Sequence, residues 1–263
     1  MDKSILTERR GHATWIRLAR PERLNALSPS MVAEIGAELD RIEHDKTVRV
    51  VIFGGTGRAF CAGADLSEAL TLAENDDAEA ATLAFVDGIA ALVSRVERLQ
   101  RPTIAAVNGL AIAGGLELVL ACDLVVASKS ARLGDGHAKY GLLPGAGGSA
   151  RLPRKVGPTR AKYLMFTAEY LSADELAAWG LINQVVPDDE LDEAANRLAK
   201  TIAAKSPLAL TRMKTLVDGA LDQPLPSALA AERTMSALHV YSRDRAEGLA
   251  AFAAKRQPRF TGN

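Results

Sequence analysis

One stretch of this sequence combines an anion-binding backbone with a carboxylate placed within the next helical turn. The apolar segment Thr103–Val107 is typical of a strand, and after Asn108-Gly109 the chain restarts as a helix at Gly114-Gly115. The N–H groups at a helix start have no partner within the helix and, with the helix dipole, favour negative charge. Glu117 falls in the first turn of this helix. Oxyanion donors beside a carboxylate suit acid–base chemistry next to a carbonyl group.

A second segment, upstream of the first, has a similar organisation. Residues 48–53 read as a buried strand, residues 54–57 break it, and the small-residue loop 59–66 leads into another helical stretch. Two strands that each end in a Gly/Ala turn can direct two backbone N–H groups at one carbonyl oxygen. Each segment alone is weak evidence, since glycine pairs are common in loops. Together they indicate a two-part oxyanion site.

The two acid–base candidates each have a structural alternative. A glutamate in the first turn of a helix is usually solvated, but residues 116 and 118–121 are apolar, so we expect Glu117 to be buried and able to transfer protons near neutral pH. His137 lies in the glycine-containing loop 133–140, where it can act as acid or base, orient a water, or only shape the structure. Asp135, two residues earlier, could compensate for a missing carboxylate if the loop is turned, but we interpret it as a solvated turn residue.

Other catalytic patterns are missing from the sequence. The glycine-rich run 145–148 lacks the Lys-Ser/Thr pair of a phosphate-binding loop, so we interpret it as a second helix start that packs behind the site. The four histidines are scattered without ligand spacing, and no metal site is predicted. Neither Cys61 nor any serine has an identifiable base. No separate cofactor is predicted.

Composition excludes several classes of protein. The chain has 263 residues, of which 48% are hydrophobic and 24% charged, as in a soluble globular protein. Lysine plus arginine equals aspartate plus glutamate, at 32 each, so no nucleic-acid partner is expected. No apolar run reaches the ~20 residues that cross a membrane, and no signal-peptide pattern opens the sequence. Cys61 and Cys122 are expected to be reduced thiols, so we predict a cytoplasmic location.

The elements that must position these residues follow an α/β pattern. Strands are predicted at 48–53, Thr103–Val107 and 124–127, and their near-continuous apolar character indicates burial on both faces. Ser28-Pro29 is a plausible N-cap and first residue of a helix that runs to about His44. The acidic segment 70–81 is predicted to be a surface helix or a flap. After residue 187 the pattern is helical, with helices predicted at 188–205, 208–221, 226–241 and 243–255.

These segments together resemble the crotonase superfamily, the enoyl-CoA hydratase/isomerase family, over nearly the whole chain. The matching motifs occur in family order at family-like spacing, at residues 20–27, 60–66, 108–123, 141–148, 179–183 and 247–256. The resemblance implies an α/β fold with a crotonase-like ββα spiral core at residues 1–190, which binds a CoA thioester. It also implies an all-helical region at residues 191–263 that supports oligomerisation and closes the CoA site.

The resemblance assigns roles by motif position. Ala64 and Gly114 match the two residues whose N–H groups hold the thioester oxygen, and Glu117 matches the first of the two catalytic glutamates. His137 stands where the family has the second glutamate. Because an imidazole cannot accept two hydrogen bonds from one water, we expect His137 to lie in the site without being essential. Substrate-binding positions match Arg23, Ala26, Ala62, Asp65, Leu66, Phe252 and Lys255.

The implied activity is that of an enoyl-CoA hydratase-type lyase of fatty-acid metabolism, which adds water across the 2,3 double bond of a 2-enoyl-CoA. Coenzyme A then belongs to the substrate. The departure at His137 leaves two alternatives open. One is another crotonase reaction, either double-bond isomerisation or C–C bond hydrolysis, and the other is CoA-thioester binding without turnover. The resemblance also implies a homotrimer or homohexamer.

Overall fold

Two sheets form the centre of the fold, which a computed structural model describes for residues 3–68 and 78–263. The larger sheet has the strand order β1-β2-β3-β5-β7-β10, in which β1 is antiparallel to β2 and the other pairs are parallel. The smaller sheet has the order β4-β6-β8-β9, antiparallel only between β8 and β9. The strands are β1 (Ile5–Arg10), β2 (Ala13–Leu18), β3 (Val50–Gly55), β4 (Ala59–Cys61), β5 (Thr103–Val107), β6 (Leu110–Ile112), β7 (Leu124–Ser128), β8 (Arg132–Gly134), β9 (Leu171–Ser172) and β10 (Gln184–Val186).

Helices alternate with these strands in the first part of the chain and then continue alone. The helices are α1 (Pro29–His44), α2 (Ala78–Arg98), α3 (Gly114–Ala121), α4 (Gly148–Val156), α5 (Pro158–Thr167), α6 (Ala173–Ala178), α7 (Leu191–Ala203), α8 (Pro207–Ala220), α9 (Leu225–His239) and α10 (Arg243–Ala253). Short 3-10 turns cover Pro21–Arg23, His137–Tyr140 and Asp188–Glu190. None of the helices described is long and apolar enough to span a membrane.

The chain repeats one unit, in which a strand of the larger sheet is followed directly by a strand of the smaller sheet. The pairs β3–β4, β5–β6 and β7–β8 all follow this rule, and α2 and α3 follow the first two pairs. Each repeat therefore adds one strand to each sheet as the chain turns. This arrangement confirms the predicted α/β class with a ββα spiral core and a helical C-terminal region.

Helix starts match the local signals in the sequence. Ser28 caps α1, because its hydroxyl oxygen accepts a hydrogen bond from the Met31 N–H at 3.2 Å, and Pro29 occupies the first helical position. Ile35 and Leu39 follow Met31 at four-residue steps on the buried face of α1. Of the segment 70–81, for which a surface helix or a flap is predicted, residues 70–77 lie outside the described residues. The remaining residues, from Ala78, form the start of α2.

The larger sheet is buried on both faces. Phe53 and Val107 belong to the core beneath α1, α2 and α3, whereas Trp15 and Ile104 pack on the opposite face. Helix α7 covers that opposite face through Leu191 and a row of alanines. Burial on both sides explains why the strand sequences are apolar at nearly every position. Because α7 packs on this sheet, the region after residue 190 begins with an element of the core, and the boundary at 190/191 stays a prediction.

Both cysteines lie inside the molecule and neither forms a disulfide. Burial raises the pKa of the Cys61 thiol and of the Cys122 thiol to about 12 in each case. A thiol with so high a pKa stays protonated at neutral pH and is a poor nucleophile. Both thiols are free in this structure, in agreement with the prediction of reduced cysteines.

The loop between β2 and α1 is fixed by the buried side chain of Asn25. Its amide nitrogen donates to the carbonyl oxygens of Thr56 at 2.9 Å and Ala59 at 2.7 Å, and its oxygen accepts from the Arg20 N–H at 2.9 Å. Asn25 and Leu24 both have left-handed backbones, with φ of 56° and 51°. Asparagine tolerates that conformation better than most residues. One side chain therefore ties this loop to β4, and through β4 to the candidate oxyanion loop.

Replacing Asn25 by alanine should destabilise the fold by about 2–4 kcal/mol, because it leaves buried backbone groups without partners. Asn25→Gly loses the same hydrogen bonds but accepts the left-handed backbone, so it should be less destabilised by roughly 0.5–1 kcal/mol. Urea unfolding followed by circular dichroism measures both differences. An unchanged midpoint for Asn25→Ala would contradict the role given to this side chain.

Large apolar side chains remain exposed on the C-terminal helices. No residue of α8 or α9 is buried within the described chain. Val217 is 70% exposed, Leu225 is 70% exposed and Leu229 is 51% exposed. Large apolar side chains exposed on two helices that contact each other are typical of an interface between protein chains.

We therefore expect an oligomer whose mass by light scattering is about three or six times the 27.9 kDa of one chain. Val217→Glu, which would place a charge in the apolar surface, should lower that mass. Lys162→Glu, on α5 away from these helices, is the matched control and should leave it unchanged. A wild-type mass near that of one chain at micromolar concentration would show the expectation to be wrong.

Candidate active site

A cavity of about 230 Å³ lies where the loop after β4, the start of α3 and the 3-10 turn His137–Tyr140 meet. The wall is mostly apolar, and Glu117 and His137 place a carboxylate and an imidazole in it. The residues that line it include Ala62, Ala64, Leu66, Phe85, Ile89, Ile112, Gly114, Glu117, His137, Tyr140, Leu142, Leu143 and Tyr170. The structure thus brings together six of the predicted site residues from three separate segments.

The backbone of Ala64 is held by a short bridge to Leu27. Leu27 donates its N–H to the Gly63 carbonyl at 2.7 Å, and its own carbonyl accepts from the Asp65 N–H at 2.9 Å. Since the flanking residues make both bridge bonds, the Ala64 N–H keeps no hydrogen-bond partner among the described residues. Ala64 lines the cavity, so this donor is available to a bound group.

Gly114, the first residue of α3, supplies the second donor, whose N–H has no partner among the described residues. A Cβ on Gly114 would lie 3.3 Å from the Gly63 Cα and 3.5 Å from the Ala64 nitrogen. The two segments therefore approach each other closely, as two donors that share one oxygen require. On the other side of the glycine pair, a Cβ on Gly115 would collide with the Cys61 carbonyl oxygen. Gly114 therefore lines the cavity, whereas Gly115 allows α3 to pack on β4.

The turn into α3 passes through an unusual backbone conformation at Ala113. Its φ of 50° and ψ of −122° fall in a region that residues with a Cβ rarely adopt. The Ala113 N–H donates to the Gly134 carbonyl at 3.2 Å, which anchors the turn to β8. The conformation reverses the chain after β6, so that α3 begins at the wall of the cavity. Backbone strain of this kind is concentrated at functional sites.

Glu117 is buried, as predicted, with 2% of its surface exposed. Its Oε1 atom accepts hydrogen bonds from the Ala146 N–H and the Gly148 N–H, both at 2.8 Å. Within the described part of the chain, Oε2 accepts none. Helix α4 starts at Gly148, so the glycine-rich run is the helix start behind the site that the sequence indicates. One carboxylate oxygen is thus fixed by the backbone and the other is left for a ligand.

His137 is held by Asp135, which is buried with 2% exposure. The His137 Nδ1 atom lies 3.1 Å from Asp135 Oδ2, and the His137 backbone N–H donates to Asp135 Oδ1 at 3.3 Å. The interpretation of Asp135 as a solvated turn residue is therefore wrong. Gly136, between the two residues, has a left-handed backbone with φ of 71°, a conformation that glycine adopts without strain.

The surroundings of His137 favour its protonated form. Burial lowers the pKa of His137, but the hydrogen bond to Asp135 and the charges of Asp135 and Glu117 outweigh burial and raise it above the usual 6.5. These contacts therefore extend the pH range over which the imidazolium form persists. Beside an acyl group in the cavity, it is better suited to donate a proton than to remove one.

Asp65 directs its carboxylate into the protein. Asp65 Oδ2 lies 2.9 Å from Arg20 Nη1, and Oδ1 accepts from the Ser67 N–H at 3.1 Å. Burial raises the pKa of Asp65, but the hydrogen bonds from Ser67 and Arg20 outweigh it and lower the pKa below the usual value. Its side chain thus braces the loop beside Ala64, and any contact with substrate stays a prediction.

The remaining predicted substrate-binding residues do not line the cavity within one chain. Arg23 is exposed and Ala26 is buried in the adjacent loop. Phe252 is 85% exposed near the end of α10, and Lys255 lies exposed just after that helix. Their proposed contacts with CoA, across a subunit boundary for the last two, remain predictions.

Several cavity residues escaped the sequence analysis. Tyr140 lies three residues after the predicted loop histidine, and its position in the same loop was the available signal. Tyr170 and Phe85 come from distant segments, and nothing in their local sequence marks them. The Tyr170 hydroxyl would be 3.4 Å from a Cβ on Gly136, which places this ring against the turn that carries His137.

Comparison with known proteins gives consistent matches over the whole chain. The family model for enoyl-CoA hydratase/isomerase matches residues 8–263. The human enoyl-CoA hydratase domain-containing protein 2, mitochondrial, is 41% identical over 254 residues, covering 95% of this chain and 85% of that protein. The 1,2-epoxyphenylacetyl-CoA isomerase of Escherichia coli (strain K12) is 37% identical, with 94% of each chain covered.

A solved structure agrees with these matches. The crystal structure of an enoyl-CoA hydratase from Bacillus anthracis superposes with a TM-score of 0.93 at 37% identity, covering 99% of this chain and 100% of that chain. The spiral of paired strands, the cavity and the sequence matches agree. The chain belongs to the enoyl-CoA hydratase/isomerase family of the crotonase superfamily.

Proposed function

We propose that this enzyme is an enoyl-CoA hydratase-type lyase that adds water across the 2,3 double bond of a 2-enoyl-CoA thioester. Membership of the family establishes a crotonase-type reaction on an acyl-CoA. The observation that carries the finer proposal is Glu117, whose Oε1 is fixed by two backbone N–H groups while Oε2 remains free in a mostly apolar cavity. A rigidly held carboxylate beside two free N–H donors suits a base next to an enolate.

In the proposed reaction, the thioester oxygen accepts hydrogen bonds from the N–H groups of Ala64 and Gly114. Glu117 removes a proton from water as the water oxygen bonds to C3, and the electrons of the double bond form an enolate held by the two donors. His137 then donates a proton to C2. The product has gained H and OH, and solvent returns the proton lost by His137 and takes up the one gained by Glu117.

The acid role resolves the difficulty with an imidazole at the second catalytic position. A residue that grips water needs two acceptor sites, which imidazole lacks, but a proton donor needs only one N–H. The net positive shift in the pKa of His137, against the opposing effect of burial, supports this division of roles. Glu117 is the base and His137 the acid.

The proposal extends to the placement of the substrate. The acyl chain lies in the apolar cavity, and Ala62 and Leu66 flank the thioester. The nucleotide part of CoA extends past Arg23, Ala26 and the Asp65 loop, and Phe252 and Lys255 approach it from a neighbouring copy in a trimer or a dimer of trimers. We propose a cytoplasmic enzyme of fatty-acid metabolism.

A second candidate is a different acyl-CoA reaction at the same site, either double-bond isomerisation or C–C bond hydrolysis. The specific observation that favours it is the histidine at the position of the second glutamate. In addition, the Escherichia coli relative, which is 37% identical to this chain, is named as an isomerase and not as a hydratase. A third possibility, thioester binding without turnover, is weakened by the intact arrangement of Glu117 and the two free donors.

Incubation with crotonyl-CoA, longer 2-enoyl-CoAs and 3-enoyl-CoAs tests the proposal. Loss of the conjugated ultraviolet absorbance with a 2-enoyl-CoA indicates hydration and supports it. A gain of absorbance with a 3-enoyl-CoA and no loss with any 2-enoyl-CoA indicates isomerisation. Binding measured by calorimetry without any chemical change indicates the third possibility, and either of the last two results overturns hydration.

Glu117→Gln should lower kcat by about a hundredfold or more, as expected for a lost acid–base group. The amide oxygen can still accept the two backbone hydrogen bonds, so the fold and CoA-thioester affinity should persist. Melting temperature and calorimetric binding provide the controls. Wild-type kcat in this variant on the best substrate would refute the assignment of Glu117 as base.

His137→Ala should lower kcat about tenfold or more and remove the basic limb of the pH–rate profile. In the wild type the rate should fall as pH rises through the raised pKa of His137, because only the imidazolium can donate. His137→Glu, which restores the usual carboxylate pair, should recover part of the hydration of crotonyl-CoA. If His137→Ala changes only KM and leaves the limb intact, the residue shapes the pocket and is not the acid.

A further inference from the structure

We propose that Asp135 is a positioning residue that holds His137 in the Nδ1–H form and leaves its Nε2 atom as the proton-donating nitrogen of the cavity. The kinetic part of the inference rests on the proposed function, whereas the tautomer can be measured without any substrate.

The contact between Asp135 and His137 involves both carboxylate oxygens. Oδ2 lies 3.1 Å from Nδ1, and Oδ1 accepts the backbone N–H of the same histidine at 3.3 Å. A carboxylate only accepts hydrogen bonds, so the Nδ1 atom facing it must carry the hydrogen. In the neutral ring Nε2 then holds the lone pair, and in the imidazolium Nε2 carries the transferable proton. No described residue forms a hydrogen bond with Nε2.

The environment of Asp135 indicates that it serves this histidine. Its side chain is 2% exposed, and no lysine or arginine forms an ion pair with it in the described residues. A buried carboxylate without a cation is costly. The compensating positive charge is the imidazolium of His137 itself, so the pair is most favourable when His137 is protonated.

The other groups around His137 do not supply a competing charge partner. Helix α3 contributes Glu117, which also favours the imidazolium. Tyr140 and Tyr170 line the cavity, and α2 contributes apolar residues there together with Thr82. Lys139, on the same turn, lies over the Tyr140 ring at 5.8 Å.

Helices α4 and α5 also approach this turn with charged groups. Arg151 of α4 pairs with Glu97 at 2.6 Å. On α5, the Tyr163 hydroxyl donates to Glu169 and Arg160 stacks over Trp179, while Lys162 is exposed. Arg151 and Arg160 thus contact other residues, and Lys162 is exposed to solvent. Asp135 is the residue that forms a hydrogen bond with the His137 ring.

The nitrogen atoms of the ring can be observed directly by NMR on protein labelled with ¹⁵N-histidine. The chain has four histidines, and the His137 signals are identified by their loss in His137→Gln. In the neutral ring of the wild type, Nδ1 should give the signal of a protonated nitrogen and Nε2 that of an unprotonated one. The opposite pattern in the wild type would overturn the inference, and this measurement needs no variant at Asp135.

Asp135→Asn gives the second arm of the test. An asparagine amide can donate to Nδ1, which favours the Nε2–H tautomer, and it removes the negative charge. The His137 titration midpoint should therefore move to lower pH, and the neutral-ring pattern should become mixed or reversed. Asp188→Asn is the matched control, because Asp188 also accepts a backbone N–H, from Ser130, far from the cavity. An unmoved midpoint in Asp135→Asn would contradict the role.

The same variant makes a kinetic prediction. At pH 8, kcat of Asp135→Asn should fall about tenfold or more, KM should change little, and the difference from wild type should shrink as pH falls and both rings become protonated. A uniform loss at every pH would indicate a merely structural role for Asp135 and would overturn the inference.

The two arms also separate this inference from the proposed function. If the substrate panel shows no hydration but the NMR pattern and its response to Asp135→Asn are as expected, the hydratase proposal fails and the positioning role stands. If hydration occurs while the NMR pattern is unaffected by Asp135→Asn, the positioning role fails and the hydratase proposal stands.

Discussion

The buried carboxylate of Glu117 is the constraint on which the rest of the site depends. A carboxylate with 2% exposure must be compensated, and the N–H groups of Ala146 and Gly148 do this through one oxygen. These bonds connect the first turn of α3 to the start of α4. The loop between the His137 turn and α4 is therefore bound to the Glu117 carboxylate. As a result, His137 and the second oxygen of Glu117 lie at the same cavity.

The two candidate oxyanion donors depend on close packing of backbone against backbone. Gly115 lets α3 approach β4, because any side chain there would collide with the Cys61 carbonyl. Asn25 fixes the neighbouring loop to β4, and the bridge from Leu27 leaves the Ala64 N–H without a partner in the part of the chain that the structure describes. Since main-chain atoms do not adjust as side chains do, the spacing of the two donors is set by the fold and not by the ligand.

Electrostatically, the site holds two carboxylates with different partners. Glu117 is satisfied by neutral backbone donors, whereas Asp135 is satisfied by the side chain and backbone of His137. The first arrangement leaves a carboxylate oxygen available to act as a base. The second favours the protonated form of His137. In the hydration that we propose, these two arrangements give the base role to Glu117 and the acid role to His137.

The sequence alone determined the α/β class, the capped start of α1, the burial of Glu117 and the family, because these depend on local periodicity, capping and motifs read along the chain. Only the tertiary structure decided the burial of Asp135. The sequence Asp135-Gly136-His137 fits a solvated turn as well as it fits a turn in which the aspartate forms a hydrogen bond with the histidine two residues later. The tertiary structure also decided that Tyr170 and Phe85 meet at the cavity and that α7 covers the core sheet. These are contacts between segments far apart in the chain, and packing rather than local propensity sets them.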